Sequence, residues 1–249
     1  MMKSLTAAAA GLAAVLAFGA PASAAEITAL VTNALKTSLP ELAPQFEKAT
    51  EHKLKLTFGS TDPLKVRIEK GEAVDFAVIG DGAIDALIKQ GKLVAATRTV
   101  ITRSGLGVAI RKGAPKPDLS TTEAFKNTLL AAKSISYNER GLTGDYLKVL
   151  FARLGITDAV KAKFKDGSGA ELVGKGETEI GLTQASEVAL VDGVELGGTL
   201  PAEIQNYTVF PAAVTVSAKD PDAAKALVRF LTSPDAVRLM KAKGLYPAS

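Results

Sequence analysis

Three stretches of the chain set hydroxyl and amide side chains directly ahead of a helical pattern: Thr32-Asn33, Gly59-Ser60-Thr61 and Thr143-Gly144. A helix start carries unpaired backbone N–H groups and about half a positive charge, so it can hold an anion without a buried cation. Each hydroxyl taken alone reads first as an ordinary helix cap. Three such stretches in one chain bring an anion site level with that reading, because open α/β sheets gather these strand ends at the crevice where ligands bind. Arg103 and Arg140 fall near the same crevice and carry the fork that grips a carboxylate. Each alone reads more readily as a solvated surface charge.

Other chemistries drop out on composition. The 249 residues include no Cys and a single His, so a disulfide scaffold, a thiolate metal site and a Cys nucleophile are excluded. A Ser–His–Asp machine would depend on His52 alone, and Glu51-His52-Lys53 reads as a solvated polar turn. Asp75 and Asp81 flank an apolar strand without further metal ligands. Gly80-x-Gly82, Gly105-x-Gly107 and Gly167-x-Gly169 lack the third glycine of a dinucleotide fingerprint, and there is no phosphate loop or nucleophile elbow. No cofactor, metal or catalytic residue is assigned. The pI is near 9.1, yet Lys and Arg are scattered among acids, as in Glu69-Lys70-Gly71-Glu72, and aromatics make up only 5%. That pattern gives no basic stripe or stacking platform for nucleic acid and fits a small anionic ligand slightly better than a cationic one.

The candidate groups need elements to carry them. Residues 1–24 read as a secretory signal peptide: Lys3, an apolar run from Leu5 to Phe18, then Ala22-Ser23-Ala24 as a cleavage site near Ala24. The run of about 14 residues is short of the roughly 20 a membrane span needs. No Cys follows it to take a lipid anchor, so the expected product is soluble and periplasmic. From there short β-type runs alternate with amphipathic helical patterns, which argues α/β with largely parallel sheets. Ile27 to Val31, Leu54 to Phe58, Asp75 to Ile79, Ile135 to Tyr137 and Ile180 to Leu182 read as strands. Leu39, Leu42, Ala43 and Phe46, and later Leu147, Leu150, Phe151 and Leu154, recur at helical spacing. Ser120-x-x-Glu123 reads as a capping box. Arg111 to Asp118 and Asn206 to Pro211 have the composition of lobe crossings.

The chain from Glu26 onward resembles the periplasmic molybdate/tungstate-binding proteins of ABC transporters, a branch of the type II substrate-binding proteins. The stretches that carry the resemblance are EITALVTNALKTSLPELAPQFEKAT, TFGSTDPLKVRIEKGEAVDFAVIGDG, GLTGDYLKVLFARLGI, GKGETEIGLTQASE and AAKALVRFLTSPDA. The resemblance implies two α/β lobes, each a mostly parallel sheet flanked by helices, joined by two crossing hinge strands that close on the ligand. Residues 25–111 and 208–249 would form one lobe and 112–207 the other. It also implies an inner-membrane permease as partner and a monomer.

The family's first oxyanion segment, ASL-type, aligns with Asn33-Ala34-Leu35, where the hydroxyl is absent. Its SSS-type turn aligns with Gly59-Ser60-Thr61 and its VPAG-type helix start with Gly141-Leu142-Thr143-Gly144. The aromatic at its GIVY-type strand end aligns with Thr183-Gln184. Two oxyanion donors are therefore replaced, which points to a larger anion and to the divergent branch that includes aconitate-isomerase-like proteins. In this reading Ser60, Thr61, Thr143 and Gly144 donate hydrogen bonds, Asn33 and Gln184 read ligand shape, Arg103 is the charge partner and Tyr137 a wall. The alternative is an isomerase of small tricarboxylates, with Glu139, Asp81 or Asp145 as general base.

Overall fold

Strands β1 (Glu26–Thr32) and β2 (Lys53–Gly59) run parallel in register from Glu26 opposite Lys53 to Thr32 opposite Gly59, which brings the first two hydroxyl-bearing strand ends side by side. Between them α1 (Leu39–Thr50) buries Leu39, Leu42 and Phe46 against the sheet. After β2 come α2 (Thr61–Glu69), β3 (Phe76–Val78) on the other side of β1, and α3 (Asp81–Lys89). This computed structural model describes residues 24–247, so the leader read in residues 1–24 lies outside the described residues save for Ala24.

β4 (Thr99–Arg111) is the long strand of the fold. α4 (Thr122–Ala131), β5 (Ile135–Tyr137), α5 (Leu142–Leu154), α6 (Thr157–Lys161), β6 (Phe164–Asp166) and α7 (Gly169–Gly174) follow. The chain then runs through β7 (Ile180–Gln184), α8 (Ala185–Val188), β8 (Val194–Thr199) and β9 (Tyr207–Val214) to α9 (Pro221–Leu231) and α10 (Pro234–Ala242). The strands are ordered β2-β1-β3-β9-β4-β7-β5-β6, with β8 also on β4. The pairs β1–β2, β1–β3, β5–β6 and β5–β7 are parallel, and every antiparallel pair involves β4 or β9. β4 changes partner along its length: Thr99 to Gly105 lie on β9, and Leu106 onward on β7, with β8 joining from Gly107.

The result is a two-lobed α/β architecture with the sheet of each lobe covered on both faces. In the first lobe one face packs α1, α9 and α10 around Phe46, Phe76 and Leu227, and the other packs α2 and α3 around Leu64, Ile84 and Leu87. In the second, Phe125, Leu147 and Phe151 fill one face, and Ala109, Val173 and Val188 the other. Among the described residues no helix is long and apolar enough to cross a membrane.

Two local expectations are corrected. His52 is buried rather than solvated: its Nδ1 accepts the Ala25 N–H at 3.2 Å and its ring leans on Phe46 at 6.2 Å. The polar neighbours that suggested exposure belong to a left-handed helix end at Glu51, which turns His52 inward. The cap of α4 is Thr121, whose hydroxyl accepts the Ala124 N–H at 3.0 Å, while Ser120 bonds Asp118. Asp75 also has a structural duty, its carboxylate accepting the Thr28 and Lys219 N–H groups at 2.8 Å each.

Candidate ligand-binding cleft

A cleft of about 870 Å³ opens between the two lobes, and all three hydroxyl-bearing stretches contribute to its wall. From the first lobe come Thr32, Asn33, Ser60 and Thr61, and from the second Thr143 and Gln184. The hydroxyls divide their duties. Thr32 accepts the Ala34 N–H at 3.3 Å and so closes the short 3-10 turn Asn33–Leu35, leaving the Asn33 amide to the cleft. Thr61 accepts the Gly80 N–H at 3.1 Å and ties the start of α2 to the start of α3. Ser60 stands at the N-cap of α2 yet makes no side-chain cap bond, so its hydroxyl is exposed at the cleft.

Gln184 bridges the crossing. Its Nε2 donates to Thr208 Oγ1 at 2.9 Å and to Thr143 Oγ1 at 3.4 Å, joining β7, β9 and α5. The residue is 7% exposed and its Oε1 has no partner. Exchanging the amide oxygen and nitrogen would satisfy the two threonine hydroxyls equally, so one amide atom is left over in either orientation.

Two further observations decide the kinship. The chain matches the family model described as bacterial extracellular solute-binding protein across residues 27–246. It belongs to that family. The solute-binding protein is 32% identical over 231 residues to an aconitate isomerase from a Pseudomonas species, covering 89% of this chain and 87% of that one. It is 29% identical over 235 residues to the molybdate-binding protein ModA of Azotobacter vinelandii, covering 90% of each. The solved periplasmic molybdate-binding protein of Azotobacter vinelandii superposes with a TM-score of 0.73 at 20% identity, over 90% of this chain and all of that one.

Four of the residues assigned from sequence do not form the cleft wall of the solute-binding protein. Ala34 is buried in the first-lobe core. Gly144 is buried one residue behind Thr143, and its role is close approach: a Cβ there would stand 2.3 Å from the Glu139 carbonyl oxygen. Tyr137 is core as well, its ring 4.3 Å from Phe164 and 5.8 Å from Phe151. Burial first, and then the charges of Glu139 and Asp166, push its phenol up. Arg103 lies at the crossing strands, its guanidinium 4.9 Å from the centre of the Tyr207 ring, which itself packs on Tyr246. Its backbone exchanges hydrogen bonds with Tyr246 at 3.0 and 2.8 Å.

The charge expected of Arg103 is supplied in the wall by Lys36 and Arg140; Lys65 also lines it but is paired with Glu69 at 2.8 Å. Of the carboxylates considered as bases, Asp145 lines the cleft, Asp81 pairs with Arg98, and Glu139 stands 3.8 Å from Lys148. Sequence reasoning missed the start of α7, where Ser168 accepts the Glu171 N–H at 3.4 Å and both line the cleft. Its signal, Ser168-x-x-Glu171, was visible as a capping box. It also missed Glu187, which had no signal beyond following Gln184 at a strand end.

Ser60→Ala removes one neutral donor that has no structural partner. Ligand affinity is expected to fall by about 1 kcal/mol, read by titration calorimetry, with Tm unchanged. A large fall in Tm would mean that the hydroxyl caps α2 after all.

Proposed function

We propose that this solute-binding protein is exported to the periplasm after cleavage near Ala24, captures a small organic polycarboxylate as a monomer, and delivers it to an inner-membrane ABC permease. The observation that carries the ligand class is the composition of the wall. Two cations without a carboxylate partner among the described residues, Lys36 from one lobe and Arg140 from the other, line a cleft of about 870 Å³ together with Asn33, Ser60, Thr61, Thr143 and Gln184, beside the carboxylates of Asp62, Asp145, Glu171 and Glu187. That volume falls within the roughly 300–1,000 Å³ of small organic ligand sites. Separate cations on opposite lobes suit a ligand with separate anionic groups, and closure around it excludes water and strengthens every polar contact. The lobes proposed are residues 25–111 with 208–249, and residues 112–207, with the passage between them made inside β4, whose residues from Leu106 on, Ala109 among them, already pack with the second lobe.

The test is a thermal-shift screen of residues 25–249 with molybdate, tungstate, sulfate, phosphate, citrate, cis- and trans-aconitate and smaller dicarboxylates. Ligand at a hundred times its Kd stabilises by about 2.7 kcal/mol, which raises Tm by roughly 5–10 °C at this size. A shift with citrate or an aconitate supports the reading. A shift with molybdate or tungstate alone overturns it.

One observation favours a second reading, the isomerase: the relative of that name is 32% identical across most of both chains, and the cleft wall holds carboxyl groups that could move a proton. Incubation with cis-aconitate, followed by proton NMR for the trans isomer, separates the two. Absence of turnover removes the isomerase.

A further inference from the structure

We propose that Glu187 is itself a ligand-binding group, holding one carboxylate of the bound polycarboxylate through a single shared proton. The inference rests on the organic-acid reading above and names the chemistry of one subsite within it. Glu187 lies at the corner where β7 passes into α8, and it lines the cleft while half-buried. Its Oε2 accepts from the Thr183 hydroxyl at 2.9 Å. Among the described residues it makes no ion pair within 4 Å, although Lys36 and Arg140 line the same wall.

Charges of both signs surround it. Glu171 on α7 faces it and adds repulsion. Lys36, past the first 3-10 turn, lines the same wall, as do Arg140 and Asp145 at the start of α5 and Asp62 on α2. β4 turns Ser104 and Gly107 towards α8, with Ser104 bonded to Ser186 at 3.0 Å, and β8 offers Leu196 and Val194. Gln184, three residues earlier and buried, is left with one unpartnered amide atom beside the same corner.

An ionised carboxylate in that position repels the very anion the cleft is built to take. A protonated one donates to it. Burial first, opposed by the Thr183 hydrogen bond and reinforced by the Glu171 charge, pushes the Glu187 carboxyl up from its ordinary value, so protonation demands less than it would in water. A ligand carboxylate arriving beside it raises that value further, because two carboxyl groups in contact share a proton rather than both ionising. Capture therefore takes one proton from solvent and leaves it between Glu187 and the ligand. No covalent bond is made or broken.

The experiment is titration calorimetry of residues 25–249 and of Glu187→Gln with citrate, cis-aconitate and trans-aconitate, from pH 5.5 to 8.5, in buffers of different ionisation enthalpy. For the ligand that binds, wild-type affinity is expected to fall about tenfold per pH unit above the pKa of free Glu187, with net uptake approaching one proton. The ligand's own titration is common to both proteins, so the difference between them reads Glu187. In Glu187→Gln the amide donates permanently: the extra slope and uptake vanish, and the variant binds more tightly than wild type at pH 8.5. Equal slopes and equal proton uptake in the two proteins overturn the proposal while leaving the organic-acid reading intact. Binding of none of the three acids to either protein overturns both. A ligand-free readout guards against misfolding. A raised carboxyl stabilises the fold at low pH and loses that contribution as pH rises through its pKa, so Glu187→Gln should gain Tm relative to wild type as pH climbs from 4.5 to 8.

Discussion

Gly181→Ala lowers the stability of the unliganded protein by about 3 kcal/mol and weakens ligand capture at the same time. β7 and α7 touch backbone to backbone at this point. A Cβ on residue 181 would stand 2.1 Å from the Gly169 carbonyl oxygen and 2.4 Å from its carbon, where Cβ atoms essentially never come under 3.0 Å. The reciprocal Cβ on Gly169 would meet the Leu182 carbonyl at 2.7 Å. Neither obstacle is a side chain that could rotate away, so the two elements must separate. Separation also strains the hydrogen bond from Ser136 Oγ to the Gly169 carbonyl, 3.2 Å in length. Overpacking of this kind costs about 1–3 kcal/mol, and rigid backbone on both sides puts it at the top of that range. At roughly 2–4 °C per kcal/mol, calorimetry should show Tm lower by about 6–12 °C. Capture suffers because the pieces being forced apart, Ser168 and Gly169 on one side and Thr183 and Gln184 on the other, all line the cleft. A Tm within 2 °C of wild type would show that the close approach is absent.

Arg140→Ala reduces affinity for a polycarboxylate by about 10–100-fold, the loss of a hydrogen-bonded charge worth roughly 1.5–3 kcal/mol. Its backbone N–H is engaged by Asn138 at 3.1 Å, whereas its side chain is exposed on the cleft wall. The free protein should therefore keep its Tm. Arg140→Lys retains the charge without the planar fork and should fall between the two. An exposed cation is screened by salt, so the gap between wild type and Arg140→Ala should narrow as ionic strength rises. Calorimetric titration at low and high salt checks both points, and equal affinities at low salt would remove Arg140 from the site.

The parts of the site that were legible in the sequence are those written in local grammar. A strand, then a hydroxyl or amide, then a helix start is a pattern of a few neighbouring residues, and Asn33, Ser60, Thr61 and Thr143 all follow it to the cleft. The parts that were not legible depend on which way a strand faces. Arg103 lies on a strand whose pairing with β9 shifts between Val100 and Thr102. A slip of one residue turns every side chain to the opposite face, so its direction could not be read from spacing. Tyr137 ends a three-residue strand, too short for its alternation to declare a side. Lys36 reaches the wall from the end of a 3-10 turn that Thr32 closes, a turn that spacing does not announce. Glu187 depends on the crossing of β7 towards β4, a contact between residues far apart in the chain.

The place of β9 in the sheet separates the order of synthesis from the order of folding. β1, β2 and β3 leave the ribosome early, yet the strand that completes their sheet arrives near the end of the chain, with Phe76 waiting for Val214 and Thr99 for Ala212. Contacts of such long range are slow to form, because the loop between them must be closed before any pairing rewards it. A nascent first lobe therefore has an open edge at β3 until almost the whole polypeptide is available. Under the export proposed above that delay would be useful: it would hold back a stable lobe until the C-terminal strand has been made.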